Sequence, residues 1–285
     1  MPAVDWKAAI RYAQLVNIAY SVAPAAPYTP GAIAAITQAG FTFVEALYGN
    51  ELATDISPHS GETVTYGFLA TSAAGELIAA IRGTETIEEW LHDFAFLFVP
   101  NPIHAGGGLT EDGFTAIYRS LRAGADPNTP TAIAAITNLV STSGASSITV
   151  TGHSLGAALA TLLALDAGLN SGIGSSGTTV YTFASPRTGD HFFAGSFNAT
   201  IPESYRIYNR TDLVPQLPPI LPLPYEHTNT PFELVAPMGA IQNNLACAHD
   251  LKTYLWLMGQ QVGANPYSAA AACLGSSYPG PPIPG

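Results

Sequence analysis

Apolar and polar positions change their period along the chain, and each change marks an element. Residues 5–20 carry Trp6, Ala9, Tyr12, Ala13 and Val16 at helical spacing, which predicts an amphipathic helix. Residues 63–72 and 76–81 alternate with a period of two around Ala73-Ala74-Gly75, the pattern of a β-hairpin. The helical period returns over 110–123 and 130–140. Short apolar, β-branched or aromatic runs at 147–151, 180–184 and 205–209 then read as buried parallel strands. Helices that alternate with strands after residue 110, behind a hairpin, predict an α/β fold with a mainly parallel central sheet, antiparallel N-terminal strands and flanking helices.

Two other stretches shape the expected organisation. Ala-Ile-Ala-Ala-Ile-Thr occurs at 32–37 and again at 132–137 without a repeat around either copy, so it predicts two similar helices. Residues 213–224 are apolar but hold five prolines, which rules out helix interior and sheet centre and predicts a stiff loop with an apolar face. The Pro/Gly-rich residues 276–285 are expected to form a loosely attached strap.

With 285 residues and 47% hydrophobic content, the chain can bury one large core, and a single catalytic domain over 1–285 is the expectation. Nine Lys+Arg against twenty Asp+Glu give a formal charge of -11. Such a field repels phosphate, so nucleic acid and anionic lipid surfaces are poor partners and a neutral substrate fits better. No run approaches the roughly 18 apolar residues of a membrane span. The start lacks a basic segment leading into an apolar one, so the chain is expected to be soluble, either cytoplasmic or secreted with its signal absent from this sequence. Cys247 and Cys273 either bridge the C-terminal segment to the loop before His249 or stay as two buried thiols, and neither has a zinc-site spacing. No metal or organic cofactor is expected, and the oligomeric state is not legible.

The chemistry concentrates at Gly152-His153-Ser154-Leu155-Gly156, between the strand at 147–151 and the helix-forming residues 157–165. A strand, a sharp turn and a helix are what G-x-S-x-G needs for its serine to stand as an exposed, strained nucleophile. The flanking glycines fit because a Cβ on either would collide where strand and helix approach. A serine hydroxyl needs an imidazole to take its proton and an acid to orient that imidazole. On folds of this kind the acid and then the histidine follow the serine in the chain. Asp166, Asp190 and Asp212 lie in the window; Asp166 rides the helix after the turn and Asp190 is placed to cap a helix, whereas Asp212 directly follows the strand at 205–209. Of seven histidines only His227 and His249 come after Asp212. His249 precedes an amphipathic helix that would pin its loop, and His227 follows the proline-rich loop; on position alone both stay open. His153 is expected to point to the far side of the turn as a structural residue, and His59, His92, His104 and His191 to lie on loops or the surface. The backbone N–H of Leu155 is one candidate oxyanion donor, and Thr84, at the end of Ile81-Arg82-Gly83-Thr84, offers an N–H and a hydroxyl as the second.

Together these residues resemble the class 3, fungal-type triacylglycerol lipases. The motifs are Arg82-Gly83-Thr84 with Trp90 and Asp93, Gly113-Phe114 with Tyr118, Gly152 to Gly156, Ser185-Pro186-Arg187-Thr188-Gly189, and Asn209 through Asp212-Leu213-Val214-Pro215 to Leu217-Pro218-Pro219. The resemblance implies an α/β-hydrolase-like fold and a Ser154–Asp212–His249 triad, with Thr84 and Leu155 as the oxyanion hole. It also implies a short lid helix at about 85–92 with Trp90 on its inner face, and Asp93 as the hinge carboxylate behind Thr84. Leu213 and Val214 join Trp90 and Asp93 as lid or substrate-binding candidates. Residues 94–99 read either as a flank of the acyl site or as a buried strand.

The implied activity is hydrolysis of acylglycerols or other lipid esters through an acyl-enzyme, with a lipid–water interface as a partner. A soluble-ester hydrolase, short-chain or feruloyl-type, and a catalytically silent interaction domain are the alternatives. A lid covering roughly 300–600 Å² of apolar surface would cost on the order of 7–15 kcal/mol to open in water. Two departures stand out. A glycine-rich insertion, Ala105 to Asp112, follows His104 and is expected to make that loop longer and more flexible. The lid segment itself is acidic, with Glu85, Glu88 and Glu89.

Overall fold

The computed structural model describes residues 3–22, 26–50, 62–84, 96–263 and 267–279. Helix α1 (Trp6–Tyr20) starts where the Asp5 carboxylate accepts the N–H groups of Lys7 and Ala8. Thr29 and Pro30 open α2 (Pro30–Gln38) in the same way, with proline at the position where its missing N–H costs nothing. Then come β1 (Phe41–Asn50), β2 (Thr63–Ser72), β3 (Leu77–Ile81), β4 (Phe98–Pro100), β5 (Leu109–Glu111), α3 (Asp112–Ser120), β6 (Arg122–Ala123) and α4 (Ala132–Ser143). The second half runs β7 (Ile148–His153), α5 (Leu155–Asn170), β8 (Thr178–Phe183), β9 (Gly189–Asp190), α6 (His191–Thr200), β10 (Glu203–Asn209), β11 (Tyr225–Glu226), β12 (Thr230–Leu234), α7 (Leu245–His249) and α8 (Leu251–Val262).

Eight strands form the central sheet in the order β12-β10-β8-β7-β3-β2-β1-β6. From β12 to β3 the neighbours are parallel, and from β3 through β2 and β1 to β6 they are antiparallel, as the hairpin predicted. The sheet is covered on both faces. One core packs α3, α4, α5 and α6 against Leu69, Ile81, Ile148, Val150 and Val180; the other packs α1, α2 and α8 against Phe68, Ile78, Ala80, Phe183 and Ile207. Two covered faces explain why β7 is buried at every position. Helix α5 lies in the middle of the first core and is buried almost all round, which is why its sequence is apolar without a polar stripe.

Several expectations change in detail. The helical period over 110–123 resolves into α3 flanked by two short strands, because Leu109–Glu111 and Arg122–Ala123 find partners in β4 and β1. A second sheet, β11-β9-β5-β4, is assembled from pieces of two or three residues that no periodicity could reveal. Within 94–99, Phe98 and Val99 belong to β4, Phe98 packs its ring 4.2 Å from that of Tyr225, and Leu97 is exposed. The glycine-rich insertion is tied down: Asn101 accepts from Ile103 N–H, donates to Gly107 C=O and joins its own N–H to Gly108 C=O. Residues 276–278 are docked rather than loose, since Ser277 N–H bonds Gly239 C=O and Tyr278 packs on Trp256. Cys247 and Cys273 form a disulfide. Among the described residues no helix is long and apolar enough to cross a membrane. The lid segment, Trp90, Asp93, His59 and His92 lie outside the described residues.

Candidate active site

Ser154 sits between β7 and α5 at φ 59°, ψ -130°, a conformation that costs about 1–3 kcal/mol and persists where the surroundings over-determine it. The surroundings here are close backbone. A Cβ on Gly152 would stand 2.1 Å from the carbonyl oxygen of Gly156, and one on Gly156 would stand 2.4 Å from that of Ile81. Ser154 N–H is anchored on Phe183 C=O at 3.0 Å. Its hydroxyl makes no helix-capping bond, and Oγ is buried without a hydrogen-bond partner among the described residues. Leu155 opens α5, so its N–H belongs to the first turn, where intrahelical acceptors are missing and negative charge is favoured.

Asp212 follows the C-terminal end of β10, where open α/β sheets gather their ligand sites. Its carboxylate is fully buried and accepts three donors: Val214 N–H on Oδ1 at 3.0 Å, and His249 Nδ1–H at 2.8 Å and Tyr254 O–H at 2.7 Å on Oδ2. A carboxylate only accepts, so His249 carries its proton on Nδ1 and keeps Nε2 as the free acceptor. Nε2 is buried and lacks a partner among the described residues. Asn209 supports both ends of this arrangement, with its N–H on the Tyr254 oxygen at 3.0 Å and its side-chain amide on Ala248 C=O at 2.9 Å. Burial, then the Asp212 charge, pushes the Tyr254 hydroxyl well above its usual range, so it stays a donor.

The alternatives left open by position fall elsewhere. His227 donates Nε2–H to Pro215 C=O at 2.7 Å, and burial with two nearby arginines pushes it down to about 3. Asp190 caps α6 through Phe193 N–H, and Asp166 bonds the Tyr118 hydroxyl and Asn170. His104 and His191 are exposed.

The Gly83–Thr84 segment runs directly past Ser154, since a Cβ on Gly83 would lie 2.8 Å from Ser154 Cβ. Arg82, 3% exposed, fastens it: Nε donates to Thr65 C=O and Nη1 to Gly83 C=O, both at 2.8 Å. Thr84 Oγ1 is buried and has no partner among the described residues. Leu213 is half-exposed beside Asp212, while the Val214 side chain is buried in the core below it. Tyr254, Tyr20 and the clamp made by Arg82 escaped sequence reasoning. The available signal was the cost of burying a tyrosine hydroxyl unpaired, which demands a partner wherever Tyr lies on an apolar helix face.

A buried acid–imidazole pair and a strained serine at the tip of a parallel strand define an α/β-hydrolase-like chain with a candidate acyl-transfer centre. The family model "Lipase (class 3)" matches residues 78–221, and the chain belongs to the class 3 lipases. Phospholipase A1-II 3 of Oryza sativa subsp. japonica is 35% identical over 188 residues, covering 56% of this chain and 44% of that protein. Secreted mono- and diacylglycerol lipase A of Penicillium cyclopium is 30% identical over 193 residues, covering 64% and 59%. The chain thus spans about half the length of the curated relatives it matches. Among solved structures, a Rhizomucor miehei lipase propeptide complex shares the fold at TM-score 0.62 with 24% identity, covering 80% of this chain and 68% of that one.

Proposed function

We propose that this chain is a serine ester hydrolase acting on lipid esters, with Ser154 as nucleophile, His249 as general base and Asp212 as the orienting acid. The observation that carries this reading is the pairing of Asp212 Oδ2 with His249 Nδ1 at 2.8 Å, while Ser154 Oγ and His249 Nε2 stay buried without partners among the described residues. In the first step Ser154 Oγ attacks the ester carbonyl carbon and its proton passes to His249 Nε2. The tetrahedral oxyanion rests on the N–H groups of Leu155 and Thr84 and on the Thr84 hydroxyl. Protonated His249 then gives its proton to the departing alkoxide, the C–O bond to the alcohol breaks and an acyl-serine remains. Water, deprotonated by His249, repeats the sequence and releases the acid. Asp212 stabilises the imidazolium without taking its proton.

The names of the relatives point to glycerolipids as the substrate class, and the net charge of -11 favours neutral or zwitterionic members. Residues 85–92 are proposed as the lid, with Trp90, Asp93, Leu213 and Val214 around the acyl site. Three glutamates in that segment support a second reading, hydrolysis of dissolved esters. Initial rates on tributyrin across its solubility limit, with Ser154→Ala as control, test both. A rate that jumps on emulsion formation supports the lidded lipase. Saturation below the limit supports the dissolved-ester hydrolase, and absence of a serine-dependent rate on any ester overturns the proposal.

A further inference from the structure

We infer that Tyr20, at the end of α1, and His153 form a positioning relay that fixes the oxyanion segment and the general base relative to each other. The inference rests on the hydrolase reading above. Gly83 N–H donates to the Tyr20 oxygen at 2.8 Å, Tyr20 shares its hydroxyl with His153 Nδ1 at 2.8 Å, and His153 Nε2 meets the backbone carbonyl of His249 at 2.9 Å.

The direction of every bond follows from one atom. A carbonyl only accepts, so His153 Nε2 carries the proton; the neutral ring then accepts at Nδ1, and Tyr20 must donate there while its lone pair receives Gly83 N–H. The chain of bonds therefore runs without a break from the loop beside the nucleophile, through the N-terminal helix and the turn, to the backbone of the base. Full burial next to His249 pushes His153 well below the ordinary imidazole range and keeps it in the neutral form that this arrangement requires. The two imidazoles lie 4.6 Å apart, ring centre to ring centre, so a charged His153 would also oppose the imidazolium that His249 becomes during turnover.

Gly83 is gripped from both of its peptide planes. Tyr20 holds the N–H of the Arg82–Gly83 plane, and Arg82 Nη1 holds the carbonyl of the Gly83–Thr84 plane at 2.8 Å. A trans peptide points its N–H opposite its C=O, so fixing the Gly83 carbonyl also aims the Thr84 N–H. Residue 83 has no room for a side chain, because its Cβ would stand 2.8 Å from the Tyr20 oxygen and 2.9 Å from His153 C=O. Neither Tyr20 nor His153 is placed to touch the reacting atoms. Their part is to hold the donor and the base in register, where a displacement of about 1 Å can cost on the order of a hundredfold in rate.

The test combines kinetics with a spectroscopic readout that needs no activity. In ¹⁵N-histidine spectra of the wild type, His153 should appear as the neutral Nε2–H tautomer between pH 5 and 8. In Tyr20→Phe its Nδ1 resonance should move to the position of an unbonded nitrogen. Kinetically, Tyr20→Phe should lower kcat by roughly tenfold with KM within about twofold. His153→Phe should do the same, and the double variant should be no worse than the more damaging single, because both remove one connected unit. His153→Gln, which retains an N–H near the Nε2 position, should recover part of the loss. An Nδ1–H or charged His153, an unmoved resonance in Tyr20→Phe, or an unchanged kcat beside a normal wild-type rate each overturns the relay. A wild type without serine-dependent turnover would instead sink the hydrolase reading, and the spectra alone would then decide whether the relay exists.

Discussion

The two ends of the candidate site are built on opposite principles. At the acid end, Asp212 is buried and accepts three donors, Tyr254 is bonded as donor and acceptor, and Asn209 holds the backbone on either side. At the serine end, Ser154 Oγ, Thr84 Oγ1 and His249 Nε2 are equally buried, yet none has a partner among the described residues. The difference separates what must not move from what must remain available: the satisfied end supplies rigidity, and on the proposed reading the other end is kept open for a carbonyl and its oxyanion.

The contrast can be broken most severely at its centre. Ser154→Ala should lower kcat by on the order of 10⁵–10⁶ while leaving Tm unchanged or raised, since a buried hydroxyl without a partner is removed; ester turnover and thermal unfolding check the two halves. Asp212→Asn should cost about 10⁴ in kcat, because an amide favours the wrong tautomer of His249, and here the imidazole tautomer can be read directly by ¹⁵N spectroscopy. Thr84→Val should cost about a hundredfold in kcat with little change in KM, as expected for a hydroxyl used only against the developing oxyanion. Tyr254→Phe acts on the satisfied end and should cost about 1–2 kcal/mol of stability, measured by denaturant unfolding, with a smaller kinetic effect than Thr84→Val.

A carboxylate elsewhere sharpens the comparison. Glu111 is buried, caps α3 through Phe114 N–H, and is pushed up to about 7 chiefly by desolvation. The folded state thus binds its proton more tightly than the unfolded chain. This contribution to stability is present below the unfolded value of 4.5 and is lost as pH rises toward about 7. The full effect is at most about 3 kcal/mol. The wild type should lose Tm between pH 5 and 8, and Glu111→Gln, which keeps an acceptor for Phe114 N–H, should flatten that fall.

Legibility in the sequence followed the range of the interaction. The turn at Ser154 could be read because strand, glycines and helix are contiguous, and the parallel strands because burial on both faces leaves continuous apolar runs. Strand β1 has no such signal, since the alternation begun at Phe41-Thr42-Phe43 breaks at Val44-Glu45, Ala46 to Tyr48 run on without a polar residue, and two register shifts interrupt its pairing with β2. The second sheet was invisible because each strand is held by partners far along the chain rather than by its own pattern. Asp212 is favoured by its place after a strand; position alone leaves His227 and His249 both open, the family resemblance points to His249, and in the fold His249 reaches the carboxylate while His227 bonds Pro215 C=O. Tyr20 stands 133 residues from His153, and no local rule joins them.

The stretch matched by the family, 78–221, contains Ser154, Thr84 and Asp212 but leaves out Tyr20, His249, Tyr254 and the Cys247–Cys273 bridge. Cutting an expression fragment along that boundary would strip α1 and α8 from one whole face of the sheet. It would separate Ser154 from His249, the base proposed for it, and take from His153 the packing that buries it. Keeping that face covered takes the chain from the cap at Asp5 to the segment beyond Cys273, which makes similarity a guide to ancestry here and a poor guide to where the molecule can be cut.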